Sequence, residues 1–285
     1  MANIRLIRRR IRGVQSTSKI TRAMEMIATS KMRRAQEAGV AGRPYDQKIR
    51  QVIADLATLS KSGDSHPLLK NRLVNKIAIV YISPDRGLCG GLVANLNRKT
   101  AGFILEQKQP TTIVGVGRKG IDFMRRYGRQ VRAEFVQLGD RPGLLDTLPI
   151  SRVIIDDYTT GYVDKVYVAY TRFVSTMLQT PVIEQLLPIE PVVSSGQSSD
   201  FIYEPDPESV LGALLPRFVE MEIYHAIMEA IASEQSARMV AMRSATDNAQ
   251  ELVQDLTLMY NKARQEAITT ELLDISGGAA ALSRD

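Results

Sequence analysis

The sequence predicts an α/β fold combined with a long coiled coil: an antiparallel coiled coil of N- and C-terminal helices with an inserted Rossmann-like α/β domain. Three observations carry this. An apolar step at helical spacing opens the chain, a sustained heptad seam fills its last third, and the middle alternates short apolar strands with helix-length stretches. The expected division is 1–60, an N-terminal coiled-coil helix; 61–199, the α/β domain with flanking linkers; and 200–285, a foot segment and the long C-terminal helix.

The first helix starts on Ile4, Ile7, Ile11 and Val14, spaced by threes and fours. The step is expected to shift to Ile20, Met24 and Ile27 and to return as Ile49, Val52, Ile53 and Leu56. Gly39, Gly42 and Pro44 permit a bend between them. Residues 1–34 hold ten Lys or Arg against one acid, Glu25, a charge of +9. Such a start reads as a transit peptide, a nucleic-acid arm, or one helix of an oppositely charged pair. The apolar step runs straight through it, and a cleaved leader has no reason to keep helical phase, so the first reading falls. With no Trp and 6% aromatics there are few platforms on which bases could stack, which argues against the second.

In the middle, Lys76–Ile82, Thr111–Val116 and the stretch around Val166–Tyr170 read as strands. Leu92–Gln107, Lys119–Tyr127 and Thr147–Gly161 read as helices, and the alternation suggests a parallel sheet. Lys61–Pro67 and Ser194–Ser199 are polar linkers at its edges. The longest clean apolar run, Ile77–Ile82, has six residues, too few to span a bilayer. Gly115–Gly120 is a literal G-x-G-x-x-G between a strand and a helix, the setting that places a pyrophosphate on a helix N-terminus. A tight strand-to-helix turn explains it equally, and no acid stands cleanly about twenty residues on. A dinucleotide-binding enzyme using residues 115–120 is therefore the alternative function. Ser83–Gly91 is Gly-rich but lacks the G-K-[ST] ending of a triphosphate loop. The single cysteine, Cys89, excludes an internal disulfide and has no nearby His, so a buried structural thiol is expected. One Cys and two His make a zinc site of the usual ligands untenable, and no cofactor is expected.

From Leu214 through Met239, Thr246 and Leu256 to Thr270, alternating steps of four and three meet seventeen positions, thirteen of them apolar. Between Pro216 and Gly277 there is neither proline nor glycine. Pro205 and Pro207 flank Asp206, a plausible cap, and Gly277-Gly278 marks the expected end. A helix over 208–276 is ~100 Å long. It must project and needs a companion along its stripe. Residues 200–285 hold six basic and fifteen acidic residues, a charge of −9, so the two ends suit antiparallel pairing, basic beside acidic. Setting Leu56 near residue 208 puts Ile4 near residue 260, and roughly 15–20 residues then overhang as a single helix. Eight of the eleven methionines, including Met24, Met26, Met239, Met242 and Met259, fall in these helices, as packing residues or as an adaptable surface.

Ile20–Ala35 (ITRAMEMIATSKMRRA), Asp85–Gly91 (DRGLCGG) and the run Ala232–Leu282, with ARMVAMRSATDNA and YNKARQEAIT, resemble the gamma subunits of F-type ATP synthases. Pro84 and Glu266-Ala267 depart from the usual pattern, and the cysteine-bearing insertion of plant chloroplast members is missing. The resemblance implies a non-catalytic rotor shaft that stands inside a hexamer of alpha and beta subunits. Its foot would rest on the membrane c-ring beside the epsilon subunit. Rotation would drive the beta sites through states of differing nucleotide affinity. It implies a peripheral protein on the cytoplasmic face of a bacterial plasma membrane, attached through the complex, with no nucleic-acid partner. By the same resemblance Arg264, Gln265 and Thr269 match positions that meet the beta-subunit catch loops. Met24 matches a position where added charge impairs coupling, and Tyr203 and Glu204 match the foot on the c-ring.

Overall fold

The computed structural model describes residues 2–59, 66–190 and 203–282. The linkers Lys61–Pro67, apart from His66 and Pro67, and Ser194–Ser199 lie outside the described residues, as do the expected boundaries at 60–61 and 199–200. In chain order the elements are α1 (Ala2–Leu59), β1 (Ile77–Ile82), α2 (Leu92–Glu106), β2 (Thr111–Val116) and α3 (Arg118–Arg126). There follow β3 (Gln130–Phe135), α4 (Leu144–Thr159), β4 (Lys165–Phe173), β5 (Gln179–Leu187) and α5 (Pro207–Leu282). The chain divides by contact into two compact units, Met1–Ile27 with Met239–Asp285, and Ala28–Arg238.

The larger unit is built on a five-stranded sheet of order β3-β2-β1-β4-β5. Strands β1 to β4 run parallel and β5 pairs antiparallel with β4. The sheet is therefore mixed, and two of its strands are absent from the sequence-based expectation. Both are edges. In β3 (QVRAEF) alternate residues are exposed, and β5 carries Pro181, which an edge strand tolerates. Central β1 is buried throughout, and its alternating side chains feed two cores. Ala78, Val80 and Ile82 join Ile150, Ile154 and Tyr158 of α4, Ala35, Ile53 and Leu56 of α1, and Leu215, Val219 and Ile227 of α5. Ile77, Ile79 and Tyr81 meet Leu96 and Ile104 of α2 and Met124 of α3 on the other face. Buried Ser233 and Ser236 let α5 approach the β4–β5 hairpin closely: their hydroxyls donate to Thr171 O at 2.9 Å and Thr176 O at 2.8 Å. α4 begins three residues before the expected Thr147, because the Asp146 carboxylate accepts the Gly143 N–H at 2.7 Å and starts the helix there. α1 continues through Gly39, Gly42 and Pro44. Pro207 is the first residue of α5, and Asp206 caps it, accepting the Ser209 N–H at 2.8 Å and holding its own pKa below the ordinary carboxylate value.

The smaller unit is two helical segments. On α5 the expected seam holds: Met239, Met242, Thr246, Ala249 and Leu256 are buried, and Val253, Tyr260, Ala263 and Ala267 half-buried. On α1 Ile4, Ile7, Ile11 and Val14 face the pair as expected, and of the expected shift to Ile20, Met24 and Ile27 only Met24 is half-buried, whereas Ile20 and Ile27 face outward. The step continues unbroken through half-buried Ser18, buried Thr21 and half-buried Glu25, while Ile20 and Ile27 are 58% and 55% exposed. Polar residues hold the seam because they find partners across it. Thr21 Oγ1 lies 2.7 Å from Thr246 Oγ1, and Arg243 Nε donates to Glu25 Oε1 at 2.9 Å. This register runs antiparallel and brings Ile4 level with Ala263, close to the expected residue 260. That ion pair has its base on the acidic helix and its acid on the basic one, the reverse of the expected pairing. Arg5, Arg8, Arg9, Arg10 and Arg12 instead face outward. From Ile268 onward every described side chain of α5 is exposed, and the helix continues past Gly277-Gly278 to Leu282. The glycines meet no breaking signal there, since the next residues are alanines of high helix propensity.

Candidate functional site

In an open parallel sheet the crevice at the carboxyl ends of the strands is where ligands bind. Here that crevice, beyond β1, β2 and β3, is filled by the chain itself. Gly117 has φ +86° and donates its N–H to Phe135 O at 2.8 Å. The first N–H groups of α3, which would cradle a phosphate, are taken: Arg118 N–H by Asp85 Oδ1 at 2.9 Å, Lys119 N–H by Pro84 O at 3.1 Å, and Gly120 N–H by Ser83 Oγ at 2.8 Å. Asp85 Oδ2 accepts the Gln137 N–H at 2.9 Å. The G-x-G-x-x-G is a packing turn against Ser83–Asp85, and the alternative enzymatic reading loses its phosphate site.

The same loop is tied outward. Gly87 O accepts Arg238 Nη2 at 3.1 Å, and Arg238 pairs with Glu234 at 2.7 Å, the two side chains 11% and 16% exposed. Lys31 on α1 pairs with Asp140, in the loop after β3, at 2.6 Å. Burial pushes the Glu234 carboxyl above its ordinary range, and the charges of Asp140 and Asp85 push the same way, against the pull of Arg238. Cys89 is buried beside this cluster, and burial together with Glu234 raises its thiol. Both effects oppose the thiolate, so Cys89 sits as a structural thiol. A cavity of about 670 Å³ lies between α1, α5 and strands β4 and β5, with Tyr170, Arg172, Glu184 and His225 in its lining. Tyr170 donates to Glu184 at 2.9 Å and Arg172 pairs with Glu184, so that one of the cavity's three glutamates, with Glu222 and Glu229, is engaged within the chain.

The expected partner-contact residues fall in three places. Arg264, Gln265 and Thr269 are exposed on α5, with Gln265 and Thr269 one turn apart on one face, at and beyond the level of the start of α1. Met24 is half-buried beside the α1 seam, level with Arg243, ~30 Å along the pair from Arg264. Tyr203 and Glu204 precede α5 in the larger unit. Tyr203 packs against the core, and burial and the negative charge of Asp55 raise its phenol, whereas Glu204 is exposed.

The whole chain matches known proteins. The family model described as ATP synthase covers residues 3–282. A Dehalococcoides mccartyi ATP synthase gamma chain is 66% identical over 285 residues, covering 99% of this chain and all of the relative. The chain belongs to the ATP synthase gamma-chain family. A Haemophilus influenzae ATP synthase gamma chain is 46% identical over 99% of this chain and all of its own length. A chain of the Euglena gracilis mitochondrial ATP synthase, solved as OSCP/F1/c-ring in rotational state 3, superposes with a TM-score of 0.69 at 20% identity, covering 99% of this chain and 95% of that one. Another from the Euglena rotor in rotational state 1 gives 0.66 over 94% of this chain and 99% of that one. At that identity the likeness is one of fold.

Family membership directs attention to surfaces that hydrophobic pattern alone passed over. Off the seam, α5 exposes Leu258, Met259, Ile268, Leu272, Leu273 and Ile275, each about half exposed or more. On α1, Leu6, Ile20, Met26 and Ile27 face outward. The signal lay in apolar residues that break the heptad step. Asp85 and Arg238 were also passed over. Both lie in passages that carry the family resemblance, but only folding brings them together.

Proposed function

We infer that the chain is the central rotor shaft of an F-type ATP synthase. It couples ion-driven rotation of a membrane c-ring to conformational cycling of catalytic beta subunits, and it carries no catalytic group of its own. One observation carries this reading. The smaller unit has a filled seam and still exposes large apolar side chains along both helices. An isolated soluble coil leaves such surface wet only at a cost, so a surrounding sleeve is its natural partner. Alternating alpha and beta subunits supply the sleeve, and the epsilon subunit and c-ring receive the foot. Exposed apolar residues suit a bearing, since strong polar pairs would trap one angle. The outward arginines of α1 can meet acidic loops in passing.

Arg264, Gln265 and Thr269 meet the beta-subunit catch loops, Met24 lies where added charge disturbs coupling, and Glu204, with Tyr203 fixed behind it, belongs to the foot on the c-ring. No helix among the described residues is long and apolar enough to cross a membrane. The chain joins the membrane through the complex, on the cytoplasmic face of a bacterial plasma membrane.

Gln265→Ala combined with Thr269→Ala tests the contact assignment. Both side chains are exposed, so the melting of the free chain should move by no more than ~0.5 kcal/mol. ATP hydrolysis by the assembled alpha–beta–gamma complex should fall several-fold. Unchanged hydrolysis would remove these residues from the interface.

A further inference from the structure

We propose that the loop closing the sheet's ligand crevice is a mechanical joint, and that Asp85, Arg238 and Lys31 are positioning residues that make the α/β layer turn with its flanking helices. The proposal deepens the rotor reading and depends on it.

All the groups concerned lie within the larger unit. A shaft whose foot is an α/β layer must pass torque from that layer into helices. Apolar packing resists separation well but resists sliding poorly, because dispersion and burial are non-directional. Directional bonds are needed where shear acts. The structure places them at the carboxyl edge of the sheet. Asp85 uses both carboxylate oxygens, one on the N-terminus of α3 and one on the loop after β3, so three strand-end loops are held as a block. That block is tied to both helices. Arg238, nearly buried and oriented by Glu234 one turn before it, donates to Gly87 O on α5's side. Lys31 reaches Asp140 from α1. The two ties leave different helices for different loops of one block, an arrangement that resists rotation about either tie alone. The edge at which an open α/β sheet binds ligands serves here as an attachment.

The test uses the assembled, membrane-reconstituted complex. Removing Arg238 alone would strand the buried Glu234, so the variant is Glu234→Gln with Arg238→Met, which replaces both members of the pair, together with Lys31→Met. The readout is protons pumped per ATP hydrolysed, measured against increasing proton gradient. The triple variant should assemble and hydrolyse ATP, yet lose about fivefold in pumping per ATP at high gradient. Arg238→Lys, which keeps a donor, should retain most of it. An unchanged ratio at every gradient would overturn the joint. If the triple variant assembles poorly, Lys31→Met alone severs an exposed pair without threatening the fold, and an unchanged ratio in that variant counts equally against the proposal. Failure of the wild-type chain to support any ATP-driven pumping would instead overturn the rotor reading itself.

Discussion

Gly117→Ala should prevent the α/β layer from folding. A Cβ at this position would overlap the Ser83 carbonyl oxygen and come within 2.7 Å of its carbon, backbone atoms with no freedom to move. The backbone at φ +86° and ψ 137° is also a conformation that side-chain-bearing residues enter only under strain. Relief by shifting the turn would break Gly117 N–H to Phe135 O and unseat the start of α3 from Asp85 and Ser83. The combined cost should exceed ~4 kcal/mol, enough to remove most of a domain's stability. Gly13→Ala is the control. Its Cβ meets nothing within 4 Å and it lies inside α1, so it should stabilise by about 0.5–1 kcal/mol. Thermal melting of the two variants should move in opposite directions. A Gly117→Ala chain melting like the wild type would show that the turn is not packed as described. Because this glycine is structural, loss of function in that variant says nothing about cofactor binding; direct titration of the intact chain with a dinucleotide does.

Met242→Asp should separate the two helices of the smaller unit. Met242 is 5% exposed on a seam that buries only one position every three or four residues. No second core stands behind it. A carboxylate there must either be dehydrated or pull the seam apart, and a buried unpaired charge costs at least ~3 kcal/mol. Amide exchange should accelerate along 4–25 and 242–263 while the amides of β1 and β4 stay protected. Leu258→Asp, at a position 69% exposed, should leave exchange unchanged in the free chain. Equal protection of the seam in the Met242 variant would contradict the pairing.

Much of this architecture is legible in the sequence, and the exceptions share a cause. The α5 seam can be read over its length because a repeat sustained for eight heptads averages out single polar intruders such as Thr246. The α1 seam could not, since between Val14 and Ala28 its inward positions are Ser18, Thr21 and Glu25 with Met24 the one apolar residue half-buried beside them, and the apolar Ile20 and Ile27 point outward. Hydrophobicity marks a seam only where burial is its purpose; Thr21 and Glu25 are inside because Thr246 and Arg243 meet them. Strand β3 is not legible because this edge strand only half-buries one face and exposes the other, so its residues look like loop. Gly115–Gly120 has the spelling of a phosphate turn, and only the tertiary position of Ser83 and Asp85 shows its donors to be occupied. The partner-contact residues came from resemblance alone. Nothing local distinguishes exposed Gln265 or Thr269 from any helix surface residue, because the partner proposed for them is another chain.

The central claim is that this chain turns as a shaft and does no nucleotide chemistry. Reconstituting it with alpha and beta subunits and observing a bead fixed to the exposed larger unit tests that directly. Addition of ATP should produce sustained rotation in one direction, while equilibrium dialysis of the chain alone detects no ATP or dinucleotide binding. Tight nucleotide binding by the isolated chain, or ATP hydrolysis by the complex with the bead stationary, would contradict the account.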